Sequence, residues 1–247
     1  MTDIFDVVVP VGPNDISVIH EQLEYTKKNI IGRRNIYIIS NVVREDINGV
    51  IFVPESQFPF TMKSVQEIHG ANSRNGWYLQ QLLKLYAGFC IPGILTKYLV
   101  IDADTFFLRP TRFIENGLTL FNPATENHTP YFEHMRRLHP SLERDHTISG
   151  ISHHMLFTTE YVKQLFDLVE GLHGKVFWKV FLEKVDVGMR HGSYSGASEY
   201  EIYFNYMNIY QPEAFQVRKL DWKNAGRLES DFSKMYDYVS VHWYART

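Results

Sequence analysis

An α/β domain with a mixed, mainly parallel central sheet flanked by helices, and with a helix-rich C-terminal half, is the architecture this sequence predicts. Three observations carry that expectation. Short β-branched runs (FDVVV, NIYIIS, GVIFVP, KYLVID) are each closed by proline, a polar residue or an acid. Between them lie segments whose apolar residues recur at helical spacing. The 247 residues, 45% of them hydrophobic, suffice for one sizeable core, and no repeat, low-complexity tract or linker divides the chain. Strands alternating with helices form parallel sheets covered on both faces, whose ligands gather at the carboxyl ends of the strands. A single domain over 1–247 is therefore expected, with halves 1–110 and 111–247.

Taken in order, Phe5 to Val9 reads as a buried strand, stopped by Pro10, Gly12 and Pro13. The segment DISVIHEQLEYTKKNI follows as a helix, with Ile16, Ile19, Leu23 and Ile30 at roughly helical intervals, Asp15 as N-cap, and Lys27 and Lys28 near its negative end. NIYIIS and GVIFVP supply two more strands. GWYLQQLLKLYAGF is a helix with Leu82, Leu83, Tyr86 and Phe89 on one face and Gln80, Gln81, Lys84 and Gly88 on another. IPG ends it, and KYLVID is the next strand. Residues 122–147 are rich in His, Pro and charge and read as an excursion with short helices, a mobile lid on the cleft. GISHHMLFT then reads as a strand, and TEYVKQLFDLVEGL, KVFWKVFLEKV and SEYEIYFNYMNIY as amphipathic helices.

Composition narrows the function. A formal charge of -3, from 25 basic and 28 acidic residues, provides no basic field for nucleic acid. Cys90 is the sole cysteine, which excludes an intrachain disulfide and a Cys-based zinc site and fits a reducing compartment. The start MTDIFDVVVP has acids where a secretory signal carries positive charge, and no apolar run approaches the roughly 20 residues of a membrane span. A soluble, cytoplasmic protein is expected. The NHT sequon at Asn127 then reads as an ordinary loop asparagine.

The segment KYLVIDADTFFLRP aims Asp102 and Asp104 at the end of a buried strand. Unpaired carboxylates there incur desolvation and mutual repulsion, so a cation belongs beside them; Mg²⁺ or Mn²⁺ with oxygen ligands meets that demand. The plainer reading is a solvated turn in which Asp104 caps a following helical turn. In SGASEYEIY, Ser198 and Glu201 have the spacing of a capping box, whereas Glu199 in the first helical turn has no such duty. His153 and His154 alternate along a strand, so one of them should face the cleft; His154 is the expected one.

These residues carry a resemblance. YLVIDADTFFLRP resembles the DxD segment of GT-A-fold glycosyltransferases, and GWYLQQLLKLYAGF is similar to the helix that leads into it. VVVPVGPND resembles their nucleotide-binding start, and SGISHHMLF and SGASEYEIY resemble segments of small bacterial and viral sugar transferases. The resemblance implies a Rossmann-like GT-A fold and transfer of a sugar from a nucleotide-sugar donor, usually a UDP-sugar, to a hydroxyl of a glycan or other acceptor. Residues 1–110 would form the donor half and 111–247 the acceptor half. It also implies a Mn²⁺ (or Mg²⁺) ion site formed by Asp104, Asp102 and His242 of VSVHWYART, with Asp104 the direct ligand and Asp102 contacting ribose or metal-bound water. Pro10, Val11 and Gly12 would hold base and ribose through backbone groups, main chain at Ile101 and Ala103 would flank the nucleotide, and Arg74, Gln81 and Lys84 would reach the diphosphate or sugar. Glu199 would be the general base if the transfer inverts, or would stabilise an oxocarbenium-like state if it retains, with Glu201 the second candidate. Trp77, Tyr194, Tyr200 and Trp243 would stack on sugar faces. Two other readings stand beside this one. Haloacid-dehalogenase-like phosphatases also use D-x-D after a strand, but here Thr105 comes one place too early and Phe106 takes the required position. A non-catalytic nucleotide-sugar-binding module would share the donor cleft without turnover.

Overall fold

The computed structural model describes residues 3–43, 46–144, 147–187 and 195–246. In chain order its main elements are β1 (Phe5–Pro10), α1 (Ile19–Asn29), β2 (Arg33–Ile39), β3 (Ile51–Val53), α2 (Met62–His69), α3 (Asn75–Cys90), β4 (Lys97–Ile101) and β5 (Thr105–Phe107). There follow α4 (Thr129–Leu138), β6 (His154–Thr158), α5 (Thr159–His173), α6 (Phe177–Lys184), α7 (Glu199–Tyr210), β7 (Trp222–Asn224), α8 (Phe232–Met235) and β8 (Tyr238–Ser240). The central sheet has the order β6-β4-β1-β2-β3, with β6 antiparallel to β4 and the other pairs parallel. The chain first winds from β1 outward to β2 and β3, then returns to place β4 on the other side of β1. The switch of direction therefore falls between the carboxyl ends of β1 and β4, where open α/β sheets bind ligands.

Both faces of this sheet are covered, which is why its strands read as near-continuous apolar runs. Val8, Tyr37, Ile39, Val100 and Phe157 point into the larger core, against α2, α3 and α5 to α7. Their neighbours Val7, Val9, Ile36, Ile38, Leu99 and Leu156 point into the second core with Ile19 and Leu23 of α1. The period of two along each strand thus divides the interior into two layers. A smaller sheet, β7-β8-β5, brings the C-terminal segment back to the end of β4: Ser240 sits opposite Thr105, and their hydroxyls are 2.8 Å apart.

Four expectations change. α1 begins at Ile19 with Val18 as N-cap, because Asp15 closes a 3-10 turn and its carboxylate is taken by Arg246 at 2.5 Å. α2 is an addition to the predicted elements; Thr61 and Ser64 form a reciprocal cap at its start. The excursion over 122–147 is no mobile lid in its helical part, since Met135 and Leu138 of α4 are wholly buried in the larger core, as is Leu142 after it. The chain also contains more strand than the sequence predicts, in β5 of the first half and in β7, β8 and Leu118–Phe121 of the second, the last pairing with Phe215–Val217.

Candidate active site

β4 ends at Ile101 and the chain turns at once: Thr105 N–H donates to the Asp102 carbonyl at 2.9 Å. The turn sends the two aspartates to different partners. Asp102 Oδ1 accepts from Lys84 Nζ of α3 at 2.6 Å and from the Tyr200 hydroxyl of α7 at 2.8 Å. The same Lys84 amine donates to Glu199 Oε1 at 2.6 Å and lies 4.4 Å from the Tyr200 ring centroid. Asp104 Oδ2 instead lies 2.9 Å from Nδ1 of His242, which follows β8, and the Asp104 carbonyl accepts from Val241 N–H. The loop after β1 completes this side, tied down by Arg246, which donates to the Asn14 carbonyl and to Asp15.

One buried ammonium serves two carboxylates, and His242 serves the third. Burial works against the Lys84 ammonium, but Asp102 and Glu199 outweigh it and hold the amine firmly protonated. Burial likewise works against the Asp102 carboxylate, and Lys84 with His153 overcomes it, leaving Asp102 well below the usual carboxylate range. Glu199 is pushed up, first by burial and then by the Asp102 charge, with Lys84 offsetting only part. At His242 burial favours the neutral ring, yet the Asp104 hydrogen bond and charge raise it above an ordinary histidine.

Several expected residues gather here and several do not. Asp102, Asp104, His242, Lys84 and Glu199 converge, and main chain at Pro10, Val11, Ile101 and Ala103 lies buried at the strand ends, with half-buried Gly12 beside them. Lys84 is 2% exposed and spent on two carboxylates, so its amine is not free to meet a diphosphate. Gln81 is buried and donates to the Ala197 carbonyl, another internal tie. Arg74 stands half-buried at the N-cap of α3, ten residues before Lys84, near Tyr78 and Tyr131. Glu199, also 2% exposed, is no open general base because Lys84 occupies it. Glu201 is wholly buried and accepts from Ser149 Oγ, Gly150 N–H and Asn205 Nδ2. Ser198 does cap α7 by accepting from Glu201 N–H, but the Glu201 carboxylate thus clamps the 149–150 segment.

The histidine pair is reversed. β6 begins at His154, whose ring is buried among Phe107, Phe113 and Tyr238, and burial lowers its pKa to about 3. His153 lies just before the strand at φ +62°, with Nδ1 3.5 Å from Asp102 Oδ2 and its ring centroid 5.0 Å from that of His242. Strand alternation does not reach a residue outside the strand, so only the composition HH points toward it. Of the aromatics, Tyr200 is a buried partner of Asp102, Trp77 reaches the Ala197 carbonyl at 3.5 Å, Trp243 is 57% exposed, and Tyr194 lies outside the described residues.

As donors for a divalent ion, Asp104 offers carboxylate oxygen and His242 imidazole nitrogen, a set that fits Mn²⁺ when substrate oxygens complete the shell. Among the described residues no group of three His, Cys, Asp or Glu side chains is arranged to hold a metal ion. Asp102 spends Oδ1 on Lys84 and Tyr200, and its Oδ2 lies 3.5 Å from His153 Nδ1. No helix among the described residues is long and apolar enough to cross a membrane.

The fold is similar to that of mouse xyloside xylosyltransferase 1 in its apo form, with a TM-score of 0.50 and 13% identity over 96% of this chain and 97% of that one. At that identity the likeness is one of fold, a glycosyltransferase's mixed α/β architecture. No curated protein matches this sequence. Residues 16–247 match the family model DUF6492, a family of unknown function, and the chain belongs to that family.

Proposed function

We propose that this chain is a metal-dependent glycosyltransferase that moves a sugar from a nucleotide-sugar donor, a UDP-sugar with Mn²⁺, to a hydroxyl of a glycan-type acceptor. The observation that carries the reading is the Asp104–His242 pair, 2.9 Å apart at the switch point of the sheet and beside the loop after β1, in a fold similar to a glycosyltransferase's. Backbone groups of Val11 to Asn14 hold the nucleoside. Asp104 and His242 hold the ion, whose charge, when it is bound, neutralises the diphosphate that leaves as the anomeric C–O bond breaks. Asp102 stays ionised because Lys84 and Tyr200 fix it, and it presents its second oxygen on the His153 side. Glu199 acts one step back, holding the amine that holds Asp102. An inverting transfer needs a base open to the acceptor hydroxyl, and with Lys84 bound Glu199 does not supply it.

The phosphatase reading requires Asp102 as an attacking nucleophile, and one of its oxygens already accepts two hydrogen bonds. Its motif also ordinarily follows the first strand of the domain, whereas this one follows β4. Turnover separates the enzyme from a binding module. Purified protein with MnCl₂ and a panel of nucleotide sugars should release nucleoside diphosphate, with Asp104→Asn slower by about 100-fold or more and its melting temperature retained. Full activity in Asp104→Asn would sink the metal role, and failure of the whole panel with and without acceptors would sink the transferase.

A further inference from the structure

His153 stands out at this site by its backbone, while its ring pairs with Asp102, Nδ1 to Oδ2 at 3.5 Å. Among the described residues, two that are not glycine adopt positive φ: Asn116, in a turn before Gly117 where asparagine is at home, and His153 at +62°. A histidine in this region persists when its surroundings over-determine it, and such outliers concentrate at functional sites. Here the determination is visible on both sides. The Ser152 carbonyl accepts from the Tyr238 hydroxyl at 2.9 Å, the His153 carbonyl accepts from Asp102 N–H at 3.0 Å, and His154 is locked opposite Ile101 with its ring among three aromatics. The result turns the His153 ring out of the core, edge-on to Trp222 at 5.0 Å, with Nδ1 toward Asp102.

Its place in the sheet names its ligand. β1, β4 and β6 are successive neighbours, each pair about 4.8 Å apart. On the donor reading above, on which this step rests, the nucleoside lies at the end of β1 and the diphosphate at the turn after β4. The group that continues the same line reaches the start of β6, and in a nucleotide sugar that group is the transferred sugar. We propose that His153 contacts the transferred sugar of the donor and determines which sugar is accepted. An imidazole whose Nδ1 faces a fixed carboxylate presents Nε2 to a hydroxyl, and a site built to hydrogen-bond a hydroxyl rejects analogues that lack or misplace it far better than an apolar wall does.

The test uses the whole chain with His153→Gly and His153→Asn, both of which tolerate the backbone conformation. Binding of nucleoside diphosphates with MnCl₂ is measured by calorimetry, and kcat/KM across a panel of nucleotide sugars by diphosphate release. Both variants should bind the bare nucleoside diphosphate within about twofold of wild type, lose about tenfold or more in kcat/KM on the preferred sugar, and discriminate less among sugars. His153→Gly should melt at or above wild type, since it relieves the backbone. An unchanged sugar profile in both variants overturns the inference and leaves the donor reading intact. Loss of bare nucleoside diphosphate binding in both, with folding retained, overturns it by moving His153 to the phosphate site. A wild-type protein that binds and turns over no member of the panel removes the donor reading, and this inference with it.

Discussion

Replacing Lys84 by Met removes the buried cation while keeping most of its volume and stem, and it leaves Asp102 and Glu199 facing each other without it. Asp102 is 18% exposed and keeps the Tyr200 hydroxyl, so the cost falls mainly on Glu199, which is 2% exposed. Glu199 escapes by taking a proton. Keeping neutral at pH 7 a carboxyl whose unfolded value is 4.5 costs about 3 kcal/mol, at 1.36 kcal/mol per unit. That agrees with the roughly 3–5 kcal/mol lost when one partner of a buried pair is removed. In a chain of this size it lowers the melting temperature by about 6–12 °C. The pH dependence follows from the sign. Glu199 has a folded pKa above its unfolded one, so its penalty shrinks as pH falls, to about 1 kcal/mol at pH 5.5; Asp102, stripped of Lys84, shifts the same way. Urea unfolding of wild type and variant at both pH values measures the difference. Adding Glu199→Gln to Lys84→Met should remove most of the pH dependence. A Lys84→Met deficit under about 1 kcal/mol at pH 7, or one that does not shrink toward pH 5.5, would refute the reasoning.

Burial lowers the pKa of His134 to about 4 and of His154 to about 3. Both folded values lie below the unfolded 6.5, so the stability they contribute is complete above about pH 6.5 and is lost as pH falls toward the folded values, about 2 kcal/mol each at pH 5. His154→Phe, which suits the surrounding rings and cannot protonate, should flatten the acid limb of a urea-midpoint profile; an unaltered slope would contradict the assignment. Gly150→Ala would press a Cβ against Phe204 Cβ and bring it to 2.9 Å from the Tyr200 carbonyl, so thermal unfolding should show a loss of about 1–3 kcal/mol. A neutral result there would mean that α7 and the 149–150 segment can move apart despite the Glu201 clamp.

The sheet strands and the long helices are legible because burial on two faces and on one stripe writes directly into residue order. The hidden features depend on partners far along the chain. Lys84 sits on the polar face of α3, and a polar face usually means water or a cleft. It is interior here because carboxylates 18 and 115 residues away arrive at the same point. Glu201 is similarly opaque: its spacing from Ser198 announces a cap, and the cap forms, yet its carboxylate serves a segment 51 residues earlier. The C-terminal turn is legible only through His242, while Arg246, which ties that turn to the loop after β1, belongs to no local pattern.

The two aspartates also look different once their partners are known. A sequence with D-x-D at a strand end invites one cation for both acids. In the fold the turn from Asp102 to Thr105 separates them, so that Asp102 meets Lys84 and Tyr200 while Asp104 meets His242. Each nearby acid has a basic partner: Lys84 is shared by Asp102 and Glu199, His242 serves Asp104, and Arg246 serves Asp15. These bases differ in how readily they give way. Lys84 is buried and serves two carboxylates, so removing it strands both. His242 is a single, partly exposed imidazole, and on the proposed reading an incoming divalent ion would take over both Asp104 and the ring nitrogen that now pairs with it. The aspartate tied to Lys84 and Tyr200 is therefore the one that fixes the geometry, and on the proposed reading the one paired with His242 is the one that exchanges its partner for a ligand. Substitution at Asp102 should then register in stability as well as turnover, and substitution at Asp104 in turnover alone.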